Sequence, residues 1–178
     1  GIDADAHEIK EANIRKNRTD ARYIVGDLMD PPILPPVDAI LCMHVMEHIK
    51  NPKKLFDVFS RQLAPDGKLL ILTSNRKNPL YFGNALCPLW VNNWLKQLFH
   101  LEINRTQLFY RANTEKELRR VLNDSKLGIT HLSYCLDIPM TLHSTPYRIC
   151  WLLLHTFLVS ARLTRLFPMI AIICQKEK

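Results

Sequence analysis

Glycine is scarce in this 178-residue chain, at five residues, and a repeat, a linker-rich array or a collagenous chain is thereby excluded. The five cysteines (Cys42, Cys87, Cys135, Cys150 and Cys174) stand singly, with no C-x-x-C and an odd count. A disulfide framework and a thiolate zinc site both lack the spacing they need, so reduced thiols in a reducing, cytoplasmic compartment are expected. Bilayer-spanning runs are missing as well. The most apolar stretch, Ile149 to Val159, falls short of the ~20 residues a span requires. It carries His155 and is flanked by Arg148, Arg162 and Arg165. A buried or surface-lying helix is expected there, its arginines leaving contact with an anionic lipid surface open. No nucleic-acid-binding motif occurs, and nothing at the start resembles a signal peptide. The first residue is Gly1 rather than Met, which leads us to expect a preceding segment outside this sequence.

What is present is a chain of 47% hydrophobic and 23% charged residues with a net charge of +7, the composition of one ordinary globular domain. A basic surface of that size is ordinary solvated charge or an attraction for acidic partners. "GID" reads as the end of a strand closing on an acid. "ADAHEIKEANIRKN" reads as a helix capped by Asp5, with Ile9, Ala12 and Ile14 as its buried side. Tyr23 to Val25 forms a short strand leading into Gly26-Asp27, and the prolines of "MDPPILPPVD" make a loop. "VDAILCM" is an unbroken apolar run, expected as a strand buried on both faces of a parallel sheet. Asn51-Pro52 opens a helix with Leu55, Phe56, Phe59 and Leu63 at helical spacing. That helix stops at "APDG", and "KLLILT" is another buried strand.

Strand, helix, strand in this rhythm is the mark of an α/β domain. The aromatic stretch from residue 76 to 113 breaks it and predicts a mostly helical insertion or cap. Beyond it, Thr114 and Glu117 form a capping box, Leu118, Val121 and Leu122 make a stripe, and Gly128 is expected to end the helix. "ITHLSYCL" and "MIAIICQ" read as further strands. The whole is expected to be one domain, with a core over 1–75, the insertion over 76–113 and the rest of the sheet over 114–178.

Two features bear on chemistry. Acids at successive strand tips, Asp3 and Asp27, are the residue type that accepts hydrogen bonds from a ribose diol or an exocyclic amine, although such acids are often simple turn caps. The second feature is His44-x-x-Glu47-His48. On a long helix this spelling would be an inverted zinc-protease motif. Here an apolar strand runs straight into His44 and a new helix begins at Asn51-Pro52, which leaves space for little more than one turn. The protease reading fails on length.

In order and spacing, "GIDADAHEIKEA", "VGDL" and "VDAILCMHVMEHIKNPKKLFDVFSRQLAPDGKLLILTSN" resemble the S-adenosylmethionine-dependent class I methyltransferases, and within them the ubiquinone-biosynthesis O-methyltransferases. The likeness is specific from Gly1 to about Asn75. It implies a Rossmann-like sheet with helices on both faces, and S-adenosylmethionine as the methyl donor. By the same likeness Asp3 would hold the ribose, Asp27 and Leu28 the adenine, and Met43 and His44 would face the methionine part. His44 first and His48 second are the candidate bases for removing the acceptor's proton. Relatives with Glu-x-x-Glu-His at this turn bind a divalent ion in some members. In this chain His44 replaces the first acid and suits magnesium less well, so a metal is not expected. Glu47 and His48 are expected as a hydrogen-bonded turn shaping the pocket floor, and Tyr110 and Arg111 as candidates for the acceptor mouth.

The acidic, glycine-rich turn that follows the first strand in this family is absent from these residues. If the usual strand order holds, the second and fourth family strands lose the neighbour between them. The apolar insertion and the helix after Tyr147 point to a small, hydrophobic, lipid-like acceptor with an oxygen nucleophile. The alternative is a non-catalytic, partner-binding α/β module that has lost the cofactor. A nicotinamide-dependent Rossmann enzyme shares the ribose-binding acid but gives no reason for the "MEHI" turn. The oligomeric state is not legible.

Overall fold

A computed structural model describes residues 1–16, 20–32, 34–79, 108–136 and 145–177. The expected insertion falls largely outside these, between 80 and 107.

Two parallel strands open the chain, β1 (Ile2–Asp3) and β2 (Ile24–Val25), joined through helix α1 (Ala6–Arg15). Asp5 caps α1 by accepting from the amide of His7, which satisfies one of the free N–H groups at the helix start. Ile9 is buried, but Ile14 is 67% exposed, contrary to the expected face. Five residues apart on a helix means about 140° of rotation, too far for both side chains to meet one surface.

The second sheet has the order β3 (Val37–Met43), β4 (Leu63–Ser74), β6 (Met169–Lys176) and β5 (Leu127–Cys135). Strand β3 pairs in parallel with β4. Helix α2 (Pro52–Gln62) connects them, with Asn51 as cap and Pro52 at its first turn. Helix α2 ends at Gln62, directly before "APDG" as expected, but β4 already begins at Leu63, with "APDG" as a bulge inside it. Val37 lies opposite Leu63 and Ala39 opposite Lys68, so four residues of β4 face the single Asp38 of β3 and three are in excess while the pairing continues. Gly67 is required in that bulge, since a Cβ there would stand 2.9 Å from the Ala64 carbonyl oxygen and 3.1 Å from that of Val37.

Thr114 caps α3 (Glu115–Asp124) by accepting from the Glu117 amide at 3.3 Å; its hydroxyl donates to the Glu117 carboxylate at 2.8 Å, which reaches back to the amide of Asn113 where a standard capping box would take that of Thr114. Gly128 does not end this helix. Lys126 takes the left-handed conformation at φ 56°, and Gly128 already belongs to β5 (Leu127–Cys135). The chain then forms α4 (Thr145–Ser160) and returns as β6 (Met169–Lys176), which inserts antiparallel between β4 and β5. Asn75, directly after β4, fixes that return by donating to the carbonyls of Arg165 and Phe167.

The core lies between β4, β6, β5 and the two helices α2 and α3, with Phe56, Leu69, Ile71, Leu118, Leu122 and Ile172 fully buried. Strand β3 departs from expectation. Leu41 is 67% exposed and Met43 46%, and only Cys42 of its seven residues is buried. The reason is its position. Among the described residues β3 bonds to β4 alone, β1 bonds to β2 alone, and between the two sheets runs an apolar groove of about 280 Å³ lined by Ile2, Leu28, Leu34, Ile40, Leu41 and Phe59. Leu41 and Met43 of this edge strand point to the sheet face opposite Cys42, where their β4 partners Leu70 and Leu72 are also only half-buried, so that face is less covered than the one holding the core.

Candidate active site

Strand β3 ends at Met43, and the next residue, His44, leaves the sheet in a left-handed conformation, φ 55°. For a residue with a Cβ this costs about 1–2 kcal/mol. Its amide still donates to the Leu72 carbonyl at 2.8 Å, so the departure is fixed at the carboxyl end of the parallel β3–β4 pair. Ligands of open α/β sheets gather at such ends. The His44 side chain is half exposed, with Nδ1 3.9 Å from the Glu47 carboxylate.

Residues Met46–His48 form one 3₁₀ turn before the cap of α2, which agrees in length with the single turn left by the sequence. That turn drives Glu47 inward, where it is only 6% exposed. The carboxylate accepts from the hydroxyl of Thr73 at 3.1 Å and from that of Ser74 at 3.0 Å, both at the end of β4. Asn113 continues the network by donating to Thr73 Oγ1 at 2.7 Å and to the Ser74 carbonyl at 3.2 Å. The amide of Phe109 donates to the Glu47 carbonyl at 2.7 Å. A buried carboxylate is costly unless its lone pairs are satisfied; the two hydroxyls supply one donor to each oxygen, and Asn113 holds Thr73 in place.

The negative charge is felt nearby. Burial, and then Glu47, push the Cys42 thiol up to about 12, and the same two causes in the same order raise the Tyr110 phenol. Tyr110 is itself in a left-handed conformation, φ 48°, with its carbonyl accepting from Arg76. Arg76 also pairs with Glu117 at 2.9 Å, so the segment before α3 is tied to the end of β4. Sequence reasoning missed Thr73, Ser74 and Asn113. The signal available was a polar "TSN" closing an apolar strand run, but nothing local tied it to residues 40 positions away.

Asp3 and Asp27 follow adjacent parallel strands, linked by the Gly26 amide donating to the Asp3 carbonyl at 2.9 Å. Both carboxylates are exposed, and each has one oxygen turned to a local amide, Asp3 to Asp5 and Asp27 to Met29, each at 2.8 Å. The two acids thus sit together, and Met43, His44, Glu47 and His48 sit together at the other sheet. Leu28 lies between them, packed against the core and lining the groove. The groove lining includes Leu28 but none of Asp3, Asp27, Met43 or His44. Among the described residues no group of three or more His, Cys, Asp or Glu is arranged to hold a metal ion.

Residues 1–71 match the family model described as a methyltransferase domain. The chain is similar to a SAM-dependent methyltransferase from Methanosarcina mazei with a TM-score of 0.66, at 17% identity, covering 99% of this chain and 81% of that one. The chain has a class I methyltransferase fold.

Another structure with this methyltransferase fold, a Haloferax volcanii methyltransferase in complex with the Trm112 methyltransferase activator, gives a TM-score of 0.67 at 14% identity, covering 100% of this chain and 71% of that one. Among curated proteins, the ubiquinone biosynthesis O-methyltransferase of Maricaulis maris is 24% identical over 133 residues, 72% of this chain and 50% of the relative. The chain therefore spans half the length of that methyltransferase. The protein of the same name from Xylella fastidiosa (strain M23) is 42% identical over 41 residues, 23% of this chain and 17% of the relative.

Proposed function

We propose that the protein transfers a methyl group from S-adenosylmethionine to a small hydrophobic acceptor through an oxygen nucleophile, with His44 as general base. The observation that carries this reading is His44 itself, a non-glycine residue held in the left-handed region at the carboxyl end of a parallel strand pair, half exposed and backed by a buried carboxylate. Backbone cost of that kind persists where the surroundings over-determine it, and it gathers at functional positions.

The residues suit the donor in kind. Asp3 is an exposed acid at a strand tip with one oxygen engaged by a backbone amide, which leaves acceptor capacity for a ribose diol. Asp27 stands at the neighbouring strand end, and Leu28 offers an apolar surface for a purine. The donor, when bound, supplies an electrophilic methyl group on a sulfonium. His44 is in reach of solvent and can take the acceptor's proton, while the Glu47 carboxylate beside Nδ1 favours the imidazole orientation that leaves Nε2 outward. His48, only partly exposed on the same turn, is the second candidate. The O-methyltransferase names of the curated relatives support an oxygen nucleophile, and the apolar groove and exposed Leu41 and Met43 support a greasy acceptor.

The test is a radiolabelled-methyl screen of prenylated phenols against polar metabolites, with His44→Ala as control. Transfer to the phenols, reduced by about 10²-fold or more in the variant, is expected. Transfer to polar acceptors alone would overturn the acceptor class, and an unaffected His44→Ala would overturn the base.

A second reading has its own observation. With β1 and β3 both unpaired toward the groove, the described residues offer a slot for another strand, as a partner-binding α/β module would. The coding sequence upstream of Gly1 separates the two, and calorimetry with S-adenosylmethionine tests what these residues bind by themselves. We expect the 178-residue chain alone to bind weakly, and micromolar binding would refute that. An acidic, glycine-rich turn encoded upstream of Gly1 would favour the enzyme over the module.

A further inference from the structure

Helix α4 (Thr145–Ser160) has two apolar faces. Trp151, His155 and Leu158, at i, i+4 and i+7, are buried, with His155 stacked on Trp151 at 3.9 Å between ring centres and its Nδ1 2.7 Å from the Trp151 carbonyl oxygen. On the other face Ile149, Leu152, Leu153 and Phe157 are 51%, 53%, 66% and 61% exposed. Their spacing of i, i+3, i+4 and i+8 makes one continuous stripe on a helix about 24 Å long. Leu163, 42% exposed, extends it past the helix end. An apolar stripe of this length on the surface of a protein marks something it binds.

The charge around the stripe identifies the partner. No Asp or Glu occurs between Asp137 and Glu177, whereas Arg148, Arg162 and Arg165 fall within that interval. Arg162 and Arg165 are both exposed just beyond the helix. Arg162 holds a telling position. The Leu163 amide donates to the Leu158 carbonyl at 2.8 Å and the Arg162 amide to that of Val159 at 3.0 Å, while Arg162 adopts φ 57°. This is the left-handed helix cap in which glycine costs least. An arginine there lowers stability relative to glycine and places a cation at the end of the stripe.

We propose that the outer face of α4 lies on an anionic lipid surface, the stripe dipping into the acyl boundary and Arg162 and Arg165 meeting lipid phosphates. A stripe whose own segment carries cations and no acid fits a surface that is apolar inside and negative at its rim, and a protein partner would call for mixed charge. The helix is too short to cross a bilayer, so it would lie in the interface. This proposal is independent of the methyl-transfer reading.

The experiment is co-sedimentation of the 178-residue chain with vesicles of phosphatidylcholine containing about one third phosphatidylglycerol, against phosphatidylcholine alone. We expect at least about tenfold tighter partitioning to the anionic vesicles, and loss of about tenfold in the double variant Leu153→Ser/Phe157→Ser. Arg162→Gly guards against a folding artefact, because it relieves the left-handed cap. It should melt no lower than the parent yet bind anionic vesicles about fivefold more weakly. Equal binding to both vesicle types, binding to neither, or undiminished binding by Leu153→Ser/Phe157→Ser would overturn the proposal. So would a dimer by light scattering that the double variant dissolves without any vesicle binding.

Discussion

Replacing Glu47 is the most informative perturbation of the candidate site. The carboxylate is 6% exposed and holds the hydroxyls of Thr73, which is fully buried, and Ser74, 7% exposed. Glu47→Ala removes two charge-assisted hydrogen bonds, each contributing about 1.5–3 kcal/mol, and leaves two buried hydroxyls short of an acceptor. Relief of the carboxylate's desolvation offsets part of that loss. A net destabilisation of about 2–4 kcal/mol follows, which for a chain of this size lowers Tm by roughly 5–15 °C. Glu47→Gln keeps the shape and one acceptor, but its amide group meets Thr73 Oγ1, already accepting from Asn113, so about 1–2 kcal/mol is expected. Urea denaturation followed by tryptophan fluorescence measures both. A cycle with Thr73→Val should show a coupling of about 1 kcal/mol or more if the bond matters as argued. A Glu47→Ala variant within about 0.5 kcal/mol of the parent, or a cycle with no coupling, would refute the reasoning.

Three further outcomes are expected. His44→Gly should raise stability by about 1 kcal/mol, because glycine tolerates φ 55°, while abolishing methyl transfer in the same screen; lower stability would show that the imidazole has a structural role. Gly67→Ala should cost about 1–3 kcal/mol in urea, since its Cβ would press on the backbone carbonyls of Ala64 and Val37. The Tyr134 hydroxyl donates to Glu115 and, with Arg119, holds that carboxyl below its usual range, while burial and Glu115 push Tyr134 up to about 12. The depressed carboxyl contributes stability that is present above about pH 4.5 and lost as pH falls. The raised phenol contributes stability present below pH 10 and lost as pH rises toward 12. Tyr134→Phe should therefore flatten both limbs of the stability profile, measured as urea midpoints across pH, and unchanged limbs would count against the pairing.

The sequence by itself determined the local elements. Asp5, Asn51 and Thr114 each announce a helix start because a short polar side chain can reach a free backbone amide a few residues on, and that geometry is contained within one turn. The apolar runs of β3, β4 and β6 were legible for the same reason, as was the single turn at "MEHI", bounded by a strand before and a capped helix after. Tertiary structure decided the rest. The exposure of Leu41 and Met43 depends on what covers their face of the sheet, which an apolar run does not state. The bulge at "APDG" exists because pairing with β3 resumes beyond it, where an isolated turn would have ended the element. The insertion of β6 between β4 and β5, and the union of Glu47 with Thr73, Ser74 and Asn113, join residues far apart in the chain. Period and capping are encoded over a few residues, whereas the burial of a charge depends on donors delivered by elements that meet only when the sheet closes.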